Sequence, residues 1–285
     1  TRIQSVKSTQ QITKAMKMVA ASKLRKAQDA ILQMRPYVQK LYGILENAAS
    51  SVDGDHQSVY SVERDIKNVL VVVVTSDRGL CGAFNSNSIK AALAMINEKY
   101  KEQEADKSLW IMPIGKKAYE YFTKRNYQVI DTFHGLFADL SFENVKEAAT
   151  FAMDSYLNEV YDRVDIVYNE FKNVATQILR TDQFLPIARV ETEESELQNT
   201  DYIFEPSIEY IIQEMIPRTL KVQFYKALLE SNASEHGARM TAMDQATDNA
   251  GELLKELRLT YNRTRQAAIT KEILEIVGGA EALGG

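Results

Sequence analysis

The residues whose types could best support a chemical reaction lie in the segment Thr75–Asn85, TSDRGLCGAFN. This segment follows a run of apolar, β-branched residues. In α/β folds a turn at the end of a strand often holds a ligand. A phosphate cradle there would need the spacing G-x-x-x-x-G-K-[ST] or G-x-G-x-x-G. Gly79 and Gly82 are three residues apart, and neither Lys-Ser nor Lys-Thr follows them. We interpret the segment as a tight turn with a surface pair, Asp77 and Arg78, in preference to a nucleotide site.

Cys81 is the only cysteine, and the chain has three histidines, His56, His134 and His236. A cysteine nucleophile needs a base beside it, and the positions of these histidines indicate no such pair. Zinc sites need closely spaced cysteines and histidines, which are also missing from the sequence. We predict no catalytic residue, no metal and no cofactor, and a buried or half-buried thiol at Cys81. A single cysteine forms no intrachain disulfide, as is usual in a reducing compartment.

The residues around this turn predict a small α/β domain over residues 65–200. Helical segments at 86–100, 116–125 and 142–160 alternate with strand-like segments, which is the pattern of βαβ units. The predicted fold is therefore a Rossmann-like sheet of about five strands. The strand-like segments are 69–75, 108–115, 127–133, 165–171 and 176–186.

A long helical segment flanks this domain on each side. Residues 205–283 read as one helix, which at ~1.5 Å per residue would be roughly 110 Å long. Apolar residues of both segments recur at alternating spacings of four and three, which is the heptad pattern of a coiled coil. We predict an antiparallel coiled coil of the segments 1–55 and 205–285. The heptad positions are Ala27, Ile31, Met34, Val38, Leu41, Leu45, Ala48 and Val52 in the first segment and Met243, Ala246, Ala250, Leu253 and Leu257 in the second.

Charge is distributed unevenly along the chain. The formal net charge of the whole chain is −5. Residues 1–46 carry nine basic and two acidic side chains, a net of +7. A basic helix favours an acidic protein surface or a nucleic acid, and the same pattern is also typical of a solvated helix face. The longest apolar run, Val69–Val74, is much shorter than the ~20 residues that a membrane span needs.

Three blocks of the sequence resemble the gamma subunit of the F-type ATP synthase. The first is Ser8–Lys26, STQQITKAMKMVAASKLRK, and the second is Thr75–Gly82. The third comprises Glu235–Ala250, EHGARMTAMDQATDNA, and Tyr261–Gly279, YNRTRQAAITKEILEIVGG. The blocks follow the order of the family and span nearly the whole chain.

The resemblance implies a central rotor subunit that does no ATP chemistry itself. In that family the coiled coil lies inside a ring of three alpha and three beta subunits, and the α/β domain binds epsilon and the c-ring. Proton-driven rotation of the c-ring then forces the beta subunits through their conformations. The chain would touch the membrane only through the c-ring, at the cytoplasmic face of a bacterial plasma membrane or its organellar equivalent. The alternative function is a basic helical arm that binds nucleic acid.

The resemblance also implies contact residues. Met16, with Lys14 and Lys17, would face the acidic lobe of beta. Polar side chains near the beta catch loop would be Arg265, Gln266 and Thr270. An apolar tip that turns in a sleeve would comprise Ile273, Ile276 and Val277. The foot on the c-ring would include Tyr202 and Glu205.

Overall fold

The computed structural model describes residues 2–50, 59–187 and 208–283. Two long helices dominate it: α1 runs from Arg2 to Ser50 and α6 from Ile208 to Leu283. The 76 residues of α6 correspond to a length of about 114 Å at ~1.5 Å per residue. Both helices continue through a proline, Pro36 in α1 and Pro217 in α6. The prediction of a very long carboxy-terminal helix is confirmed.

The part of the chain between these helices forms a five-stranded sheet with the order β3-β2-β1-β4-β5. Strands β1 to β4 are parallel, and β5 pairs antiparallel with β4. The strands are β1 (Val69–Val74), β2 (Leu109–Ile114), β3 (Gln128–Val129), β4 (Arg163–Phe171) and β5 (Gln177–Leu185). The short link between β4 and β5 is a hairpin connection, as the sequence between them requires, since a parallel pair needs a longer crossover.

Helices cover both faces of the sheet. The shorter helices are α2 (Phe84–Lys99), α3 (Lys101–Ala105), α4 (Lys116–Thr123) and α5 (Phe142–Leu157). Val69, Val71 and Val73 of β1 pack in one cluster with α2 and α4, and the alternate residues of β1 pack with α5 and α6. All six residues of β1 are therefore buried, as its continuous apolar sequence predicts for a strand covered on both faces.

The third predicted strand is shorter than expected. Only Gln128 and Val129 pair with β2, opposite Trp110 and Ile111, whereas the sequence indicated a strand over residues 127–133. Both paired residues are half-buried because β3 lies at the edge of the sheet.

Helices α1 and α6 pack antiparallel along a continuous seam. Leu24, Ala27 and Ile31 of α1 cluster with Leu229 and Ala233 of α6. Toward the carboxyl end of α1, Val38 and Leu41 meet Val222. The predicted heptad positions Ala27, Ile31, Val38 and Leu41 are buried and Met34 is half-buried; the side chains of Leu45 and Ala48, and Val52, lie outside the described part of the structure.

Two predicted seam positions in α6 are wrong. Leu254 is buried, at 6% exposure, whereas Leu253 is 36% exposed. Thr247 takes the place predicted for Ala246, because its hydroxyl lies 2.8 Å from that of Thr13 in α1. The seam therefore follows Met243, Thr247, Ala250, Leu254 and Leu257.

Candidate partner-contact surfaces

The segment that follows β1 is a tight turn packed against the rest of the α/β domain. The backbone N–H of Ser76 donates to Asn85 Oδ1 at 2.8 Å. The thiol of Cys81 is 1% exposed and accepts a hydrogen bond from Asn85 Nδ2 at 3.2 Å, which confirms the prediction of a buried cysteine. Asp77 does not form the predicted pair with Arg78; its carboxylate instead accepts from the backbone N–H of Lys116 at 3.1 Å. That N–H opens α4, where a carboxylate is favourable.

Helix α6 holds this turn from the other side. Arg239 donates to the carbonyls of Gly79 and Arg78 and forms an ion pair with Glu235 at 2.5 Å. The side chains of Glu235 and Arg239 are 10% and 12% exposed. The turn keeps Leu80 in the left-handed region, at φ 65°, with its side chain 65% exposed.

Further contacts join α6 to the carboxyl end of β4. The backbone N–H of Phe171 donates to Glu230 at 3.0 Å, and the hydroxyl of Ser234 donates to the carbonyl of Asn169 at 3.1 Å. Gly237 packs beside the ring of Phe171, which a Cβ at this position would meet at 3.4 Å, an ordinary contact distance. The middle of α6 is therefore attached to the sheet edge where α/β folds usually bind ligands.

Two buried titratable groups lie beside this attachment. Burial raises the pKa of the Glu235 carboxyl, and the adjacent Arg239 opposes that shift. Burial also lowers the pKa of His236 to about 4, with further lowering from Lys23 and Arg239. His236 is consequently neutral at pH 7, and its spacing from Ala233 and Met243 puts it at a seam position of α6.

A cavity of about 210 Å³ lies next to the turn, between α2, the β4–β5 hairpin and α6. Its walls include Cys81, Asn169 and Thr241. Within the described ranges no group of three or more histidine, cysteine, aspartate or glutamate residues is placed to hold a metal. His134 stacks on Tyr119 at 4.5 Å between ring centroids, and His56 lies outside the described ranges.

The basic face of α1 contains the first group of predicted contact residues. Lys14 is exposed and Met16 is half-buried. Lys17 is also half-buried, and its ammonium group forms an ion pair with Asp244 of α6 at 2.5 Å. The exposed apolar side chains Ile12 and Val19 lie on the same helix. The structure brings Lys14 and Met16 to an accessible surface and gives Lys17 a partner within the chain.

The second group lies on the part of α6 beyond the seam. The amino-terminal end of α1 pairs with α6 near Leu257, so α6 continues alone after that point. Every residue from Arg258 to Ala280 is exposed. This projecting segment includes the predicted contact residues Arg265, Gln266, Thr270, Ile273, Ile276 and Val277.

The predicted foot residues Tyr202 and Glu205 lie outside the described residues. The attachment of α6 to the turn through Arg239 and Glu235 was not predicted from the sequence. Their spacing of four residues on a helix is that of an ion pair, and this signal was present in the sequence. The contact with Arg78 and Gly79 carried no local signal, because those residues are about 160 positions away.

Comparison with known proteins identifies the family. A family model described as ATP synthase matches residues 1–283. The ATP synthase gamma chain of Cytophaga hutchinsonii is 60% identical over 284 residues, covering 99% of this chain and 96% of the relative. The chain belongs to the ATP synthase gamma-chain family. The gamma chain of Christiangramia forsetii is 53% identical over 284 residues, covering 100% of this chain and 97% of the relative.

Solved structures agree with this gamma-chain assignment. A chain of the Tetrahymena thermophila mitochondrial ATP synthase, from a structure described as central stalk and c-ring, has a TM-score of 0.57 and 25% identity and covers 83% of this chain and 99% of its own. A chain of the Euglena gracilis mitochondrial ATP synthase has a TM-score of 0.66 and 23% identity and covers 99% of this chain and 92% of its own. The second likeness shows the shared fold.

The family settles several predictions made from the sequence. The chain is a non-catalytic, central-stalk subunit of the F-type ATP synthase, a membrane-associated complex. Its fold, a long antiparallel helix pair with a five-stranded α/β domain, is the predicted one. Among the described residues no helix is both long and apolar enough to cross a membrane. Nothing in the comparisons favours the nucleic-acid alternative.

Proposed function

We propose that this gamma chain is the rotor that couples proton-driven turning of the c-ring to conformational change in the catalytic beta subunits. The main observation in support is that the projecting segment of α6 exposes all its described side chains from Arg258 to Ala280. Six of these side chains are large, apolar and more than half exposed: Leu259, Tyr261, Ile273, Leu274, Ile276 and Val277. Such a surface is expected to be covered by a partner. A ring of three alpha and three beta subunits around the segment would cover it on all sides.

The projecting segment divides into two proposed contact regions. Arg265, Gln266 and Thr270 offer polar side chains that would bond to the catch loop of one beta subunit and release it as the shaft turns. Ile273 and Ile276 would turn against an apolar sleeve together with Val277. Because apolar contacts have little directionality, such a bearing would hold the tip in place while resisting rotation weakly.

The basic face of α1 is the third proposed contact. Lys14 and Met16 are accessible and would pass the acidic lobe of each beta subunit in turn. Lys17 would contribute positive charge to the same face, although its ammonium group is shared with Asp244. Charge attraction across a transient contact favours fast association without requiring tight binding.

The opposite end of the molecule would connect to the membrane part of the complex. We place epsilon on the α/β domain, and the c-ring loops at a foot that includes Tyr202 and Glu205. The chain would then meet the membrane only through the c-ring. The location we propose is the cytoplasmic face of a bacterial plasma membrane, or the equivalent face in an organelle.

Reconstitution with partner subunits tests this function. The chain would be co-expressed with the alpha and beta subunits of the same source, and the purified complex assayed for ATP hydrolysis with and without it. We expect one copy of the chain for three copies of each partner and hydrolysis that depends on the chain. A matched control lacks the residues after Arg258 and keeps the described seam. If no complex forms and the chain binds DNA with a steep salt dependence, the rotor proposal is wrong.

A further inference from the structure

The seam between α1 and α6 has a lower part, from Leu24 to Leu41 of α1, and an upper part closer to the amino-terminal end of α1. The upper seam is polar at three successive positions of α1. Seam residues of α1 are spaced alternately three and four apart, and in this stretch they are Gln10, Thr13 and Lys17. Apolar positions lie on both sides of this stretch: Ala20 and Leu24 toward the α/β domain, and Ile3 and Val6 toward the other end. A polar layer therefore interrupts the otherwise apolar seam residues of α1.

Each member of the polar layer has a partner on α6. The hydroxyls of Thr13 and Thr247 are 2.8 Å apart, and the ammonium of Lys17 lies 2.5 Å from the Asp244 carboxylate. Gln10 donates to the carbonyl of Thr247 at 3.5 Å, which is a weak contact. Thr13 is 8% exposed, whereas the side chains of Lys17 and Asp244 are 39% and 48% exposed. The layer thus has a hydroxyl pair, with Thr13 buried and Thr247 half-buried, and a half-exposed ion pair.

These contacts contribute little to stability. A half-exposed ion pair is worth a fraction of a hydrogen-bonded core contact, because water screens the charges. In coiled coils, polar seam residues instead select one register, at a cost in stability relative to apolar residues. The polar layer is therefore better explained by specificity than by stability.

The residues on either side of the layer make the pairing selective. A shift of one heptad would place Lys17 opposite Gly237 or Gly251, neither of which has a carboxylate. The same shift would place the Thr13 hydroxyl opposite Met240 or Leu254. After such a shift the Thr13 hydroxyl would keep only its bond to the Gln10 carbonyl within α1, at 3.1 Å. Of the three settings, only the observed one therefore gives both side chains a partner directly across the seam.

The position of the layer makes this selectivity useful. The contacts from α6 to the α/β domain include a hydrogen bond from Thr241 to the carbonyl of Val174 at 3.4 Å. Beyond Gln245, which lines the cavity, the described contacts of α6 to other elements are with α1. In the lower seam, contacts with the α/β domain help to position the two helices. In the upper seam, only the contacts between α1 and α6 can do so. The projecting segment starts only about ten residues beyond Thr247.

We propose that Thr13, Lys17, Asp244 and Thr247 form a register key, which fixes how α1 and α6 are set against each other and thereby orients the projecting end of the shaft. Lys17 is then a positioning residue within the chain. This inference rests on the proposed rotor function for its consequence, and on the contacts above for its geometry.

Exchange of the two charges tests the key. Nitroxide labels on cysteines introduced at the exposed positions Ser22 and Glu252 report the setting of the helices by pulsed electron spin resonance; Cys81 is buried and should not be labelled. We expect one narrow distance in the assembled complex. Lys17→Glu or Asp244→Lys alone should raise the fraction of molecules whose label-to-label distance lies outside this narrow range about two- to fivefold. This is the factor expected for an ion pair of this exposure. The double exchange should restore the narrow distance.

Lys7→Glu is the matched control, since Lys7 is exposed on the same helix, has no ion pair within the described ranges and is not among the proposed partner contacts. It should leave the distance unchanged. The key is wrong if both single reversals leave the distance unchanged, or if the double exchange is as broad as the single variants. If a single variant fails to assemble, rescue of assembly by the double exchange supports the key, and failure of that rescue overturns it.

Proton pumping per ATP separates the key from a partner contact. If Lys17 acts through Asp244, the double exchange restores pumping that Lys17→Glu loses. If Lys17 acts through an acidic partner alone, the double exchange restores neither pumping nor the narrow distance, and the key is overturned. Failure of the unmodified chain to assemble would contradict the rotor function, and the distances could then still be measured on the full chain alone.

Discussion

Arg239 of α6 donates a hydrogen bond to the backbone carbonyl of Arg78 at 3.2 Å, which ties the longest helix to the turn that ends the central strand. The same guanidinium binds the carbonyl of Gly79 and the carboxylate of Glu235. Five donors in a planar group make arginine suited to three acceptors at once. In the proposed rotor, this attachment would carry torque between the shaft and the α/β domain.

Removing this guanidinium should loosen the attachment. We expect Arg239→Ala to lower the free energy of unfolding by about 3 kcal/mol, because it leaves the buried Glu235 carboxylate without its partner. Arg239→Lys keeps the charge and loses the planar geometry, so its loss should be smaller. Denaturant unfolding of the three proteins measures both effects. Equal stability of Arg239→Ala and the unmodified chain would contradict the attachment.

Two adjacent leucines provide a test of the corrected seam. Leu254→Ala should destabilise the chain by about 2 kcal/mol, since it opens a cavity at a buried position. Leu253→Ala removes the same atoms from a more exposed position and should cost well under half as much. Thermal unfolding of the pair makes the comparison. A larger loss for Leu253→Ala would restore the seam predicted from the sequence.

Truncation after Arg258 should separate stability from coupling. None of the removed residues up to Ala280 is buried, so we expect the melting temperature of the isolated chain to stay the same. In the assembled enzyme, partial ATP hydrolysis should remain while proton pumping falls. Unchanged pumping by the assembled truncated enzyme would show that the projecting segment is not needed for coupling.

Met16→Lys should strengthen a contact that needs to be transient. Met16 is half-buried beside the exposed Lys14, and a third cation here would attract the acidic lobe proposed as its partner. We expect higher activation barriers for both ATP synthesis and hydrolysis, measured from the temperature dependence of the rates. Met16→Leu is the neutral control. Indistinguishable temperature dependence of all three proteins would argue against the proposed placement.

His236 should make the chain sensitive to acid. Its pKa falls to about 4 in the folded chain, whereas an unfolded histidine titrates near ~6.5. The unfolded chain therefore takes up the proton first, and stability from this group is lost as the pH falls from ~6.5 to about 4. The raised pKa of Glu235 acts in the opposite direction.

A histidine variant isolates this effect. The melting temperature of the unmodified chain should fall relative to that of His236→Gln as the pH drops through this window. If the difference in melting temperature between the two proteins is the same at all pH values, His236 does not titrate as proposed. Lys23→Gln removes one of the cations that lower the pKa of His236, so the decline should be smaller and should end at a higher pH.

Sequence patterns predict a helix or strand well where its surroundings are the same along its whole length. The run Val69–Val74 is apolar on both faces because helices cover both faces, so its sequence alone indicates a buried strand. The heptad spacing from Ala27 to Leu41 predicts the lower seam of α1 for a similar reason. The division into segments 1–55, 65–200 and 205–285 stays a prediction.

Features that depend on distant residues could not be predicted in this way. Leu253 and Leu254 each fit a spacing of three and four, and only the contact of Thr247 with Thr13 decides between them. The two-residue length of β3 depends on its place at the sheet edge. The ion pair of Lys17 with Asp244 joins residues 227 positions apart, so the local charge pattern of α1 indicated an external partner instead.

Helix α6 passes without interruption from the sheet surface, through the seam, to its free end. Each residue of an α-helix turns the chain by about 100° and advances it by ~1.5 Å. The number of residues between Ala233 and Arg258 therefore sets the angular phase of the tip relative to the domain. One inserted residue would turn every contact residue beyond it to a different side of the shaft, even if each side chain were kept. In this stretch the count of residues carries information that their identity does not.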